Sequence, residues 1–133
     1  MNPAEFLNTI YLGDRGCKSI SIDGWNACVS VEVDEISRIR SKTGNWELHN
    51  DENIIDGRIV FTDVSAVEFD PSGPVPNDWI ELVEVKPEGD KFVVVFSLGA
   101  VDQAGDSKEV TFRVTAKAVH LEDPSKPGVR ITD

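Results

Sequence analysis

Apolar and polar residues alternate repeatedly along this chain, the period-2 signature of strands with one face buried. From Val110 to Ala118 the alternation is cleanest: Val110, Phe112, Val114, Ala116 and Ala118 share one face, and Thr111, Arg113, Thr115 and Lys117 the other. The spacing predicts a long amphipathic strand with one wet face. Phe92–Leu98 is a continuous apolar run rich in β-branched residues, as in a central strand covered on both faces. Residues 17–22 and 27–33 also alternate, and the turn sequence Asp23-Gly24-Trp25-Asn26 between them predicts a hairpin. Placing Ile22 opposite Ala27, and Ile20 opposite Val29, puts Ile20, Ile22, Val29, Val31 and Val33 on one buried face. Cys28 then faces Ser21, and Cys17 stands roughly 13 Å away at strand rise, beyond the ~7 Å Cα separation of a disulfide. Both cysteines are expected as reduced thiols.

One helix is predicted, over about residues 3–12. Asn2 is a good N-cap, Pro3 suits the first helical position, Glu5 can complete a capping box, and Gly13 can end the helix. Phe6, Leu7, Ile10 and Tyr11 form its apolar stripe. After the hairpin, Asp34-Glu35 marks a bulge or a helical turn, and Trp46-Glu47-Leu48-His49 reads as a short strand before a polar stretch from Asn50 to Gly57. Ile59 and Phe61, then Val67 and Phe69, alternate on either side of a break at Thr62–Ser65, which predicts a bulged or bent strand. Three prolines within Asp70–Asn77 exclude regular structure there, because they lack amide donors and fix φ. Asn77-Asp78 can cap a helical turn carrying Trp79 and Ile80, and residues 86–90 form a turn. The prolines and glycine of residues 123–128 predict an extended tail over 122–133.

Short connections and a single helix favour antiparallel pairing over parallel crossovers. The predicted architecture is mainly β (α+β): one domain over residues 1–133, a β-rich body over about 17–121, and a meander of six to eight strands. It forms a curved sheet or a flattened sandwich with the short N-terminal helix against one face.

The 133 residues carry 24 acids against 13 bases, a net charge of −11. Residues 51–133 hold seventeen acids and eight bases, and so carry most of that excess. Such a surface repels phosphate backbones and anionic headgroups, so nucleic acid and membrane are disfavoured and a basic protein is the favoured partner. No stretch approaches the ~20 apolar residues of a membrane span, and the first residues lack the basic start and apolar run of a signal peptide. A cytoplasmic protein is expected.

Candidate chemistry is sparse. Phosphate-binding loops, nucleophile elbows and His-Glu-x-x-His helices are absent, and two lone cysteines make no zinc spacing. His49 and His120 are the only imidazoles able to activate Cys17 or Cys28. His49-Asn50-Asp51-Glu52 reads as solvated loop, Asp102–Asp106 lacks the alternating ligands of a calcium loop, and Asp34/Glu35 and Glu81/Glu84 are pairs that 24 acids make by chance. No catalytic residue, cofactor or metal is expected. Trp25, Trp46 and Trp79 each lie in or beside a turn or loop, where tryptophan either covers a core edge or anchors a partner.

The strings Tyr11-Leu12-Gly13-Asp14-Arg15-Gly16-Cys17, Ile22-Asp23-Gly24-Trp25-Asn26 and Ala118-Val119-His120-Leu121-Glu122-Asp123-Pro124 resemble a family of small uncharacterised bacterial proteins over most of the chain. The acidic β layout, with Trp46 near a histidine and a late strand ending in Leu121-Glu122-Asp123, is similar to immunity proteins of bacterial toxin systems. The second resemblance implies an inhibitor of a cationic toxin and no catalytic residue. The expected function is a non-catalytic binding protein for a basic partner. The alternatives are a small-molecule binder or minor enzyme with a pocket between the helix and the sheet, lined by Tyr11, His49 or Cys28, and a homodimer joined through exposed strand edges.

Overall fold

The computed structural model describes residues 1–39 and 52–133. Its one helix, α1 (Pro3–Leu7), begins as the sequence predicts, with the Asn2 side-chain oxygen accepting the Glu5 N–H at 2.8 Å. It ends five residues earlier than expected. Thr9 bonds the Phe6 carbonyl through both its N–H and its hydroxyl, and Ile10–Tyr11 leaves the helix to become strand β1. Phe6, Leu7 and Ile10 are buried either way, so the apolar stripe alone does not distinguish helix from strand there.

Ten more strands follow: β2 (Cys17–Asp23), β3 (Cys28–Val33), β4 (Glu35–Arg38), β5 (Glu52–Ile55), β6 (Arg58–Thr62), β7 (Ala66–Asp70), β8 (Ile80–Glu88), β9 (Lys91–Val101), β10 (Ser107–Ala116) and β11 (Ala118–Glu122). They form three antiparallel sheets, ordered β1-β4-β5, β7-β10-β9-β8 and β11-β6-β3-β2. The mainly β class with one short N-terminal helix is therefore correct, but the simple meander is not. Only β8, β9 and β10 run as three consecutive neighbours.

Four bends at two corners carry the chain between sheets, and neighbouring strands turn each corner together. At one corner β3 passes to β4 through Asp34 and β5 passes to β6 through Asp56-Gly57, with Val33 N–H bonded to Gly57 and Asp56 N–H to Asp34. Asp34 Oδ1 accepts the Gly16 and Glu35 amides, both at 2.9 Å, so neither a bulge nor a helical turn forms at this position. At the other corner β6 bends into β7 and β10 into β11, bridged by Lys117 N–H on the Thr62 carbonyl and Ser65 N–H on that of Thr115. Asp63 takes a positive φ of 51° there. The bend at Lys117 reverses which residues face inward, so Ala118 is exposed rather than part of the inner face. Strands that switch sheets at corners keep their ladder hydrogen bonds while wrapping one core.

That core lies between the two four-stranded sheets. Phe61 on β6 meets Phe96 on β9 edge to face at a centroid distance of 6.1 Å, and Phe112 stacks on Phe96 at 6.3 Å and on Phe69 at 4.5 Å. Val110, Phe112, Val114 and Ala116 are all fully buried, as their alternation predicts.

Other expectations need correction. The β2–β3 register is Ile22 opposite Val29 and Asp23 opposite Cys28, two residues from the expected pairing. The shift preserves which face each residue takes, and the turn moves to Gly24–Ala27 because Ala27 adopts a positive φ of 51°. Ile22 nevertheless lies exposed. The polar stretch before Gly57 contains β5, anchored by buried Ile54. No helical turn precedes Ile80: the Asn77 side chain bonds the Val101 N–H and carbonyl, and β8 starts directly. Residues 86–88 belong to β8, which leaves Gly89-Asp90 as the turn. The tail folds back, with Ile131 and Leu121 exchanging N–H···O bonds at 2.9 Å. The expected strand at Trp46–His49 lies outside the described residues.

Candidate functional site

The outer face of β8, β9 and β10 gathers acids over an apolar floor. Inward positions on these strands go to the core, so alternation leaves Glu81, Glu84, Lys86 and Glu88 on β8, Val93, Val95 and Ser97 on β9, and Glu109, Thr111 and Arg113 on β10 facing out. A bulge between Leu82 and Glu84 adds Val83 to this surface, where it is 57% exposed. Together these residues line a shallow trough of about 610 Å³. Its two cations are already neutralised, Arg113 by Glu68 at 2.7 Å and Lys86 by Glu84 at 3.5 Å. Glu109 accepts the Ser97 hydroxyl at 3.0 Å. What remains is a negatively charged rim around valines, suited to a cation carried on an apolar stem.

The structure separates Trp25 from Trp79. Trp25 stands at the tip of the β2–β3 hairpin, 97% exposed. Its turn is held by Asp23, whose carboxylate accepts the Asn26 side-chain amide at 2.8 Å and the Asn26 backbone N–H at 3.1 Å; these bonds lower the Asp23 pKa. Trp46 lies outside the described residues. Trp79 is half-buried, with its indole lying directly on Gly99, where an added Cβ would fall 2.2 Å from Cε3. Trp79 thus covers a core edge. A glycine inside the apolar run of β9 was the available signal for that close approach.

A second concavity, of about 600 Å³, opens between the α1–β1 segment and the start of β8. Tyr11 and Trp79 contribute to its walls, with Leu7, Ile80 and Arg15. The Arg15 guanidinium donates to the Ser37 hydroxyl at 2.9 Å and lies 3.4 Å from a Glu35 oxygen. Of the residues expected to line a helix-side pocket, Tyr11 does so; Cys28 lies elsewhere, and His49 falls outside the described residues.

The other candidate residues are accounted for by burial or by structural partners. Burial pushes the Cys17 thiol up to about 11, and burial followed by the Asp23 charge raises that of Cys28, so both are protonated near neutral pH. β6 lies between β3 and β11, placing buried His120 two strand spacings, about 10 Å, from the Cys28 strand. The His120 imidazole instead meets Glu122 at 3.2 Å. Glu52 pairs with the fully buried Arg38 at 3.3 Å. Asp102 closes its hairpin loop by accepting the Ala104 and Asp106 amides. Among the described residues no group of three or more His, Cys, Asp or Glu side chains is arranged to hold a metal ion, and no helix is long and apolar enough to cross a membrane.

These features define an antiparallel β protein with two packed sheets, an acid-rimmed outer face and a solvent-standing tryptophan. Over residues 1–133 the chain belongs to the family of unknown function DUF6258. No curated protein and no solved structure matches it.

Proposed function

We propose that this chain is a non-catalytic binding protein that contacts a basic protein partner, acting in the bacterial cytoplasm as an immunity-type inhibitor of a cationic toxin. The observation that carries this reading is the trough on the β8–β10 outer face, where four glutamates surround the exposed Val83 and a floor of Val93 and Val95, and the two cations that line it are internally paired. The net charge of −11 steers a basic partner toward the surface and speeds encounter, whereas burial of Val83 slows release. Trp25 offers a rigid aromatic anchor of the kind enriched at interface hot spots.

Affinity capture with immobilised full-length chain tests this function. The comparison is wild type against a variant carrying Glu81→Gln, Glu84→Gln, Glu88→Gln and Glu109→Gln, at low and moderate salt. A basic protein should be retained by the wild type at low salt, released as salt rises, and bound weakly by the variant. Binding indifferent to salt, or none to any basic protein of the same cell, contradicts the proposal.

The Tyr11–Trp79 cleft favours a second reading, a small-molecule binder. Its aromatic walls suit a flat ligand, whose anionic group would compete with Glu35 for the Arg15 guanidinium. Thermal-shift screening of aromatic carboxylates tests it: stabilisation by one of them that Tyr11→Ala abolishes supports the reading, and no stabilisation by any contradicts it.

A further inference from the structure

We propose that the seam between β2 and β7 is a strand-acceptor groove for an extended segment of a basic partner protein. It lies on different strands from the β8–β10 outer face, so either reading can fail alone.

Four strands end the two larger sheets, β7 and β8 in one and β11 and β2 in the other. Open edges template further pairing, and folds blunt them with proline, bulges, charge or a covering segment. β8 carries Pro87 and a bulge, β11 is covered by Ile131, and β7 is five residues long with Glu68 and Asp70 on it. β2 differs. Past its bulge at Cys17/Ser19 it runs regularly from Ser19 to Asp23.

Main-chain groups alternate sides along a strand. Val33 N–H bonds Gly57 on the β6 side, so Val31 and Val29 also face β6, and Glu32, Ser30 and Cys28 face β2 opposite Ser19, Ser21 and Asp23. The N–H and C=O of Ile20 and Ile22 therefore point to the open edge. Among the described residues no main-chain group meets them; pairing on that side is confined to the start of the strand, where Cys17 N–H donates to Asp78 at 2.7 Å and Gly16 bridges Trp79.

The side chains agree with the backbone. Ile20 and Ile22 lie on the face that Val29 and Val31 bury, and Val67 and Phe69 lie on the corresponding face of β7, yet Ile22 is 53% and Val67 37% exposed. Between them is a groove of about 500 Å³ floored by Ile20, Ile22 and Phe69 and walled by Pro74 and Val75. Inner-face residues open to water beside unpaired main chain are what an added strand would cover, its backbone pairing with β2 and alternate apolar side chains filling the groove. Charge selects the occupant. Asp23 ends β2 and Asp70 ends β7, Glu68 is taken by Arg113 at 2.7 Å, and the one cation of these two strands, Lys18, is taken by Asp56 at 2.6 Å. A second copy would bring −11 against −11, whereas a segment with basic residues flanking alternating apolar ones is attracted at both ends.

The test titrates the full chain with a fluorescein-labelled probe peptide of alternating valine and threonine flanked by lysines, and with its glutamate-flanked counterpart, while amide hydrogen exchange is read residue by residue. The lysine-flanked probe should slow exchange at Ile20 and Ile22 by about tenfold or more, and Ile22→Pro, which deletes an N–H that the β3 ladder does not use, should weaken it about tenfold. The glutamate-flanked probe should bind more weakly. Protection confined to Val93 and Val95 overturns the groove and leaves the outer-face reading standing. Concentration-dependent self-association that protects Ile20 and Ile22 without probe overturns the basic occupant in favour of a second copy. Unchanged exchange at both isoleucines overturns the proposal whatever the variant does.

Discussion

Replacing Gly99 with alanine would put a methyl group inside the Trp79 indole: an ideal Cβ lies 2.2 Å from Cε3, 2.4 Å from Cδ2 and 2.7 Å from Cζ3. Carbon contacts are comfortable from about 3.5 Å, so the ring must retreat by more than about 1 Å. It has little freedom to do so. The Trp79 carbonyl accepts the Gly99 N–H at 2.9 Å, and Trp79 also bridges Gly16 at the start of β2, which ties its backbone to both sheets. Overpacking of this kind costs about 1–3 kcal/mol. With a urea m-value of about 2 kcal/mol/M, a 2 kcal/mol loss lowers the unfolding midpoint by about 1 M. The assay is urea unfolding of wild type, Gly99→Ala, Trp79→Ala and the double variant. With the indole gone the three closest contacts of the added methyl go with it, so the double variant should be no less stable than Trp79→Ala alone, a coupling of about 1–3 kcal/mol. An unchanged midpoint for Gly99→Ala, or losses that simply add, would refute the seating of Trp79 on Gly99.

Three further outcomes follow from the geometry. Arg38 is fully buried, bonded to Glu52, to the Thr9 hydroxyl and to the Asp133 main-chain oxygen at 2.7 Å, and stacked over Phe6; Arg38→Ala should cost about 3–5 kcal/mol in urea unfolding. Phe61→Ala, which removes the ring meeting Phe92 and Phe96 across the sheets, should cost about 3–5 kcal/mol by the same measurement. Because the folded Cys17 pKa is raised from 9.0 to about 11, the unfolded chain ionises first on alkalinisation. Stability should therefore hold below pH 9 and fall as pH rises toward 11, a slope that Cys17→Ala diminishes, and native Cys17 should resist iodoacetamide at pH 8.

The inward and outward faces of β10, the buried run of β9 and the Asn2 cap were legible because each depends on neighbours close in sequence. The bends at Asp34, Asp56-Gly57, Asp63 and Lys117 were not. Alternation specifies which side of a strand is apolar but not which sheet the strand joins, and one to three residues at each bend redirect it. The β2–β3 register was ambiguous for the same reason, since a shift of two residues leaves every side chain on its original face, and the left-handed backbone of Ala27 decides between the pairings. Ile10 and Tyr11 satisfied both the helical stripe and a short strand. The outer-face trough needs three strands brought side by side and a bulge to turn Val83 outward, so its acids appeared in the sequence as unconnected charges. Trp25 at a hairpin tip was legible from its turn alone.

Chemical-shift mapping on the isotope-labelled chain with the basic protein retained in affinity capture tests the central claim most directly. The account predicts shifts concentrated at Val93, Val95 and Ser97 on β9 and at Glu109, Thr111 and Arg113 on β10, fading as salt rises. Shifts gathered instead around Tyr11, Arg15 and Trp79, and insensitive to salt, would contradict it.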